Sequence, residues 1–260
     1  MKKLFQATCF CLLLASIILL TAQHIQEART QDLVRGYRRL NVLVEYEYHQ
    51  AIVEPSFDLM NPGSNLNLSK NPSAGEMSLT LKGNKEKELF DTIKNYVGWI
   101  RIDQTQIDYP LVRGKDNDFY LNHGYDMKAN TAGAIFMDRR NLGNTFDQHT
   151  IIYGHHMSNG SMFTDLNKYL DESFFYENTS IYFRDLFNDS VYEVFSAYYV
   201  SADDYQLPYS LTQTNVENFI SRSLYKTDYS YKAQDRILTL STCNYLLNNG
   251  RMIVHAVLLQ

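Results

Sequence analysis

The sequence predicts a mainly β protein, a closed eight-stranded β-barrel with peripheral helices and an N-terminal helical extension. Aromatic residues are abundant, with 20 Tyr and 14 Phe among 260 residues, and aromatic side chains favour strands. Eight short apolar runs follow one another along the second half of the chain, and several alternate between inward and outward positions. Few long helices interrupt these runs, which is typical of a barrel whose closure removes free sheet edges.

The individual elements are placed by their periodicity and by the turn residues between them. In the sixth strand, Tyr192, Val194, Ser196 and Tyr198 fall on one face by the two-residue repeat of a strand. Helical patterns are found at residues 86–95, 161–169 and 214–225. The predicted strands cover residues 97–102, 107–111, 133–137, 149–153, 180–184, 191–200, 236–242 and 252–259.

The N-terminus combines a basic start with a long apolar run. Met1-Lys2-Lys3 precedes residues 4–22, which carry no formal charge, and about 20 apolar residues are enough to span a bilayer. We therefore expect a cytoplasmic stub at residues 1–3 and a transmembrane signal anchor at residues 4–22. The lysines should stay inside, which would make this a single-pass protein of the cell membrane with the remaining chain extracellular. A cleaved signal peptide is the alternative, although residues 21–24 match a cleavage site poorly.

Residues 23–79 are predicted to form a helical extension followed by a linker. Apolar positions recur at helical spacing between residues 33 and 44, whereas residues 53–78 are rich in Pro, Gly, Asn and Ser. The sequence leaves open whether this linker folds as a lid. The compact domain is predicted to cover residues 80–260.

Charge and metal-ligand spacing exclude several classes of function. The net charge of -5 and the pI of about 5.8 argue against the basic face that nucleic acid requires. His123 and His149 lie far from any cluster with metal-ligand spacing. The acidic residues are spread among loops, as at Asp116, Asp118, Asp126 and Asp138. We therefore predict no metal site and no cofactor, and we interpret His255, within an apolar strand, as structural.

Three chemically active side chains are predicted at strand ends. Cys243 follows the apolar run 237–240, His155 follows the run 151–153 and Gly154, and Arg251 opens the last strand after an Asn-Gly turn. Cys9 and Cys11 fall in the predicted anchor, so Cys243 is the only cysteine in the rest of the chain.

A thiol, an imidazole and a guanidinium held together can perform nucleophilic catalysis. A thiolate attacks a carbonyl, an imidazole protonates the leaving amine, and a guanidinium stabilises an oxyanion. With unperturbed groups, the thiolate–imidazolium pair would be only about 1% of the neutral pair. Each residue also has a plainer interpretation, as a core thiol, a loop histidine and a surface charge.

These motifs resemble the signature of the sortase family over residues 90–260. The run Thr-Leu-Ser-Thr-Cys at 239–243, followed eight residues later by arginine, and Tyr-Gly-His at 153–155 carry the resemblance. Residues 114–121 and 133–138, together with the helix at 214–225, resemble class B in particular. The resemblance implies a sortase barrel with Cys243 as the nucleophile, His155 as the acid and base, and Arg251 as the oxyanion or substrate clamp.

The resemblance implies further site assignments as well. Ser241 and Thr242 become candidates for substrate binding or oxyanion contacts, and His156 is the neighbour to exclude. Asn244 stands where relatives often carry an acid, which removes a carboxylate from that position.

The resemblance also implies the reaction and its partners. A sortase cleaves a C-terminal sorting motif of secreted surface or pilin proteins, keeps the acyl group as a thioester, and transfers it to an amine. That amine would belong to a pilin lysine, for pilus polymerisation, or to a cell-wall precursor, for anchoring. The alternatives are a membrane-anchored cysteine protease of the papain type, whose cysteine would precede its histidine, and a non-catalytic surface scaffold.

Overall fold

The computed structural model describes residues 83–142, 147–185, 187–204, 207–244 and 249–259, together with scattered positions between residues 12 and 35. For residues 83–87, 243 and 244 only the backbone is described. The predicted stub at 1–3 and the linker at 53–78 lie outside the described residues, as does most of the helical extension.

Eight strands close a barrel in the order β1-β2-β3-β4-β7-β8-β6-β5, which confirms the predicted fold class. Two pairs, β2–β3 and β4–β7, are parallel, and the other six are antiparallel. The strands are β1 (Tyr96–Ile102), β2 (Asp108–Val112), β3 (Phe136–Met137), β4 (His149–Tyr153), β5 (Ser180–Asp185), β6 (Asp189–Ser201), β7 (Ile237–Asn244) and β8 (Gly250–Leu258).

Short helices surround the barrel. The described α-helices are α1 (Gly83–Thr92), α2 (Glu172–Glu177) and α3 (Gln213–Arg222), and 3-10 helices cover Phe119–Leu121, Thr164–Leu170 and Ala202–Asp204. Helix α3 begins at a capping box, in which Thr212 and Asn215 satisfy each other's backbone amides. The predicted helix at 161–169 is a 3-10 helix shifted by a few residues.

The third strand is shorter than the sequence pattern predicts. Gly133 has a φ of 60°, and Ala134 donates its amide to the carbonyl of Tyr120 at 3.0 Å. Because these residues pair with a loop, only Phe136 and Met137 join the sheet.

Two apolar clusters lie on the two faces of the barrel wall. Leu238 and Leu240 of β7 pack in the barrel interior with Val254 of β8. Ile237 and the other outward residues of the same strands pack under α3 against Val216 and Phe219. The strands are therefore buried on both faces, which explains the near-continuous apolar runs in their sequences.

The expected membrane anchor and the localisation drawn from it are corrected by the structure. A spanning helix needs about 18 to 20 consecutive, predominantly apolar residues. Among the residues that the structure describes, no helix is both long enough and apolar enough to cross a bilayer. The single-pass anchor at 4–22, with the remaining chain extracellular, is therefore not supported.

Candidate active site

The backbone brings the three predicted catalytic positions to one level of the sheet. Strands β4 and β7 run parallel from the pair His149–Ile237 to the pair Tyr153–Ser241, and the amide of Gly154 donates to the carbonyl of Ser241 at 3.2 Å. Extending this register by two residues sets His155 level with Cys243.

Strand β8 adds the third position from the other side of β7. Arg251 is the antiparallel partner of Cys243, and neighbouring strands lie about 4.8 Å apart. The ends of β4, β7 and β8 therefore bring the backbone positions of His155, Cys243 and Arg251 side by side.

His155 is half-buried and is held at both its ring and its backbone. Its Nε2 atom lies 2.7 Å from the carbonyl oxygen of Leu121, and its own carbonyl accepts from the amide of Phe163 at 2.9 Å. Gly154, just before it, has no room for a side chain: a Cβ would overlap Ile135 and come within 2.8 Å of the Phe163 ring.

His156 faces a different set of groups. Its backbone forms an isolated bridge with Met162, and its Nε2 atom lies 2.9 Å from the side-chain nitrogen of Asn167. Burial lowers the pKa of His156 below its ordinary value. The two adjacent histidines therefore point to different partners, Leu121 for His155 and Asn167 for His156.

Arg251 is the second residue of β8, which begins at Gly250. Asn249, just before the strand, has a φ of 53°, which Asn tolerates better than most residues. The half-buried guanidinium donates from Nη1 to the carbonyl of Gly250 at 3.0 Å. The same Nη1 also lies 3.4 Å from Asn249 Oδ1. A guanidinium has five N–H donors, so the group can still bind an oxygen of a substrate.

Ser241 and Thr242 lead into Cys243 and are both buried, at 4% and 2% exposure. The carbonyl of Ser241 accepts a hydrogen bond from the amide of Gly154, which links β7 to the residue that follows β4. The Thr242 hydroxyl makes no hydrogen bond within the described part of the chain. A buried, unbonded hydroxyl is costly, so the Thr242 side chain has hydrogen-bonding capacity to offer to a ligand.

A buried carboxylate beside the site was not singled out from the sequence. Asp138, at the end of β3, accepts from Tyr153 Oη at 2.9 Å, from Asn117 at 3.0 Å, and from Arg140 through two bonds of 2.8 Å. Burial alone would raise the pKa of Asp138, but these donors outweigh it and lower the pKa to about 2. The only sequence signal was an acid directly after a short apolar strand.

A second buried network crosses four strands beneath α3. His149 Nδ1 lies 2.6 Å from the carbonyl of Pro208, and its Nε2 lies 2.7 Å from Thr239 Oγ1. Thr239 Oγ1 lies 2.7 Å from His255 Nδ1, and His255 Nε2 lies 3.0 Å from Tyr198 Oη. His255 is fully buried and stacks on Phe219 at 4.0 Å, in agreement with its interpretation as structural.

The donors in this network can be assigned from one end. The Pro208 carbonyl can only accept, so His149 Nδ1 carries hydrogen and Nε2 accepts from Thr239. Thr239 then accepts from His255 Nδ1, and His255 Nε2 accepts from Tyr198. This assignment has both histidines neutral, which burial favours: it lowers the pKa of His149 to about 4 and lowers the pKa of His255 as well.

An eight-stranded mixed barrel with cysteine, histidine and arginine positions at neighbouring strand ends is compatible with cysteine-based acyl transfer. The family model described as Sortase domain matches residues 100–259, and the chain belongs to the sortase family. Sortases are cysteine transpeptidases, so this chain is a transpeptidase of that family.

The relatives place the chain in class B. Sortase B of Listeria monocytogenes is 38% identical over 172 residues, covering 64% of this chain and 70% of the relative. Sortase B of Staphylococcus aureus is 34% identical over 179 residues, covering 64% and 71%. A crystal structure of sortase B from B. anthracis in complex with AAEK2 aligns with a TM-score of 0.63 and 42% identity, covering 68% of this chain and 83% of that one.

Proposed function

We propose that Cys243 is the nucleophile, His155 the acid and base, and Arg251 the oxyanion clamp of a transpeptidase that acts on a C-terminal sorting motif. The observation that carries this proposal is the shared level of the three positions on β4, β7 and β8. Strand ends on a closed barrel hold such groups more rigidly than loops do.

The first half-reaction breaks the scissile amide. The thiol proton of Cys243 moves to His155, and the sulfur attacks the carbonyl carbon of the substrate. Arg251 binds the oxyanion of the tetrahedral intermediate. The imidazolium of His155 then gives its proton to the leaving amine, the C–N bond breaks, and the acyl group stays on sulfur as a thioester.

The second half-reaction restores the enzyme. An incoming amine attacks the thioester carbonyl and loses a proton to His155. The C–S bond breaks, a new amide forms, and the thiolate of Cys243 is regenerated beside the imidazolium.

The proposed partners are proteins with a sorting motif and an amine acceptor. The family resemblance supports the first partner, and the acceptor is a pilin lysine or the amine of a cell-wall precursor. Ser241 and Thr242 would lie beside the bound motif, where the buried Thr242 hydroxyl can contact the substrate. Of the two roles we propose pilus polymerisation, because the long linker at 53–78 resembles the extra N-terminal element of pilus sortases of another class.

Product analysis with and without an added amine tests the proposal. Peptides carrying sorting motifs from the same genome should be cleaved, and added amine should divert the acyl product from acid to amide. Cys243→Ser should abolish both products, whereas the matched double variant Cys9→Ser/Cys11→Ser should keep them. Full activity of Cys243→Ser would refute the proposal, and an unchanged acid product in excess amine would indicate a protease instead.

A further inference from the structure

We infer that the main-chain carbonyl of Leu121 is a positioning group that fixes the ring tautomer of His155, so that Nδ1 is the nitrogen that exchanges protons with Cys243 and with the amines. This inference rests on the proposed function. The segment around Phe119–Leu121 thereby becomes part of the active site. This segment is far in sequence from the motifs that contain His155 and Cys243.

The direction of one hydrogen bond sets the tautomer of the His155 ring. His155 Nε2 lies 2.7 Å from the Leu121 oxygen, and a carbonyl oxygen can only accept. Nε2 therefore carries the hydrogen in the neutral ring. The other nitrogen, Nδ1, is then unprotonated and able to accept a proton.

Hydrogen bonds and burial hold the segment that presents this carbonyl. The 3-10 helix begins after Asp116, whose carboxylate accepts from the amides of Asp118 and Phe119 at 3.0 and 2.8 Å. Tyr120 is fully buried, and its hydroxyl accepts from Asn95 at 2.9 Å. The segment that carries the Leu121 carbonyl is thus held by backbone and buried contacts rather than by a mobile side chain.

Gly133 leaves space for the Leu121 carbonyl because it has no side chain. At Gly133 a Cβ would overlap the Tyr120 oxygen and lie 2.9 Å from the Leu121 oxygen itself. Its φ of 60° also disfavours any residue with a side chain. Glycine at position 133 therefore leaves room for the Leu121 carbonyl at hydrogen-bond distance from His155.

The consequence for catalysis is electrostatic as well as geometric. A carbonyl that accepts from a charged imidazolium makes a stronger hydrogen bond than one that accepts from a neutral ring. The Leu121 contact therefore favours the imidazolium, which is the form that the proposed reaction needs beside a thiolate. The proton that leaves or joins His155 during each step is then the one on Nδ1.

Nuclear magnetic resonance on the full wild-type chain tests the tautomer directly. Long-range 1H–15N correlation distinguishes the protonated from the unprotonated ring nitrogen, and His155→Gln assigns the signals. The expected result is a neutral ring with hydrogen on Nε2. Hydrogen on Nδ1 would overturn the inference while leaving the roles of Cys243 and Arg251 untouched, because this measurement does not depend on activity.

A pair of glycine variants tests the effect of the carbonyl on catalysis. Gly133→Ala should lower kcat/KM by on the order of 10- to 100-fold, as expected for a displaced catalytic group, and should move the limb of the pH profile that belongs to His155 to lower pH. Gly160→Ala is the matched control, because Gly160 has a φ of 80° but its Cβ would meet only Gln106 at 3.7 Å. Equal effects of the two variants on the pH profile would overturn the inference. If Gly133→Ala does not fold, the wild-type tautomer alone decides.

Discussion

Acidification should destabilise this protein well above the pH at which carboxylates titrate. The perturbation is a change from about pH 7.5 to about pH 5, and the groups concerned are the buried histidines under α3. The pKa of His149 is about 4 in the fold, compared with an ordinary value of 6.5. The unfolded chain therefore binds more protons than the folded chain between these values, so stability is complete above about pH 6.5 and is lost as the pH falls toward 4.

The size of the loss follows from these two pKa values. At pH 5, linkage for His149 alone gives a loss of about 2 kcal/mol in the free energy of unfolding. His255 and His156 act in the same direction, because burial lowers the pKa of each. A loss of about 2 kcal/mol corresponds to a fall in Tm of about 4 to 8 °C for a domain of this size.

Urea unfolding of the wild-type chain at the two pH values measures this loss. The variant His149→Gln removes one titrating group, so its stability should depend less on pH even if it is less stable overall. His123→Gln is the control, since His123 lies outside the buried network and bonds to the carbonyl of Phe119. A wild-type free energy of unfolding that is the same at both pH values would refute the assignment of His149 and His255 as neutral buried groups.

Three further predictions concern the site. Replacing His155 by Ala should reduce peptide turnover far more than replacing His156, because His155 is the histidine that the strand register sets level with Cys243; similar losses in steady-state kinetics would argue against this assignment. Arg251→Lys should lower kcat by about 100- to 1000-fold, the usual effect of losing an oxyanion donor, and near wild-type turnover would reduce its role to a structural one. Gly154→Ala should impair both folding and turnover, because its Cβ would press on the Phe163 ring; a Tm and a kcat equal to wild type would show that the loop relaxes freely.

The barrel could be predicted because its strands have strong local patterns. The runs that became β4, β7 and β8 are apolar on both faces, and a turn residue or polar residue ends each one. His155, Cys243 and Arg251 were recognisable because each follows or begins such a run. Their common level depends on the register between the strands, which the apolar runs do not determine.

The features that the sequence did not reveal depend on contacts between distant segments. The Leu121 carbonyl contacts His155, which lies 34 residues later in the sequence. A contact made by a main-chain group cannot be recognised from the pattern of side chains. Asp138 resembled the other loop acids until Tyr153 and Arg140 were placed beside it. The membrane anchor was expected from an uncharged run after two lysines, whereas no helix among the described residues is long and apolar enough to cross a bilayer.

The assignment of Cys243 as the acylated nucleophile is the central claim, and trapping of the acyl-enzyme tests it most directly. The full chain is mixed with a sorting-motif peptide, quenched in acid, digested and analysed by mass spectrometry. The expected result is an added mass equal to the acyl fragment on Cys243. This added mass should disappear when an amine is added before the quench, and it should be absent from Cys243→Ala. Continued peptide cleavage with no adduct on Cys243, or an adduct on Cys9 or Cys11 instead, would contradict it.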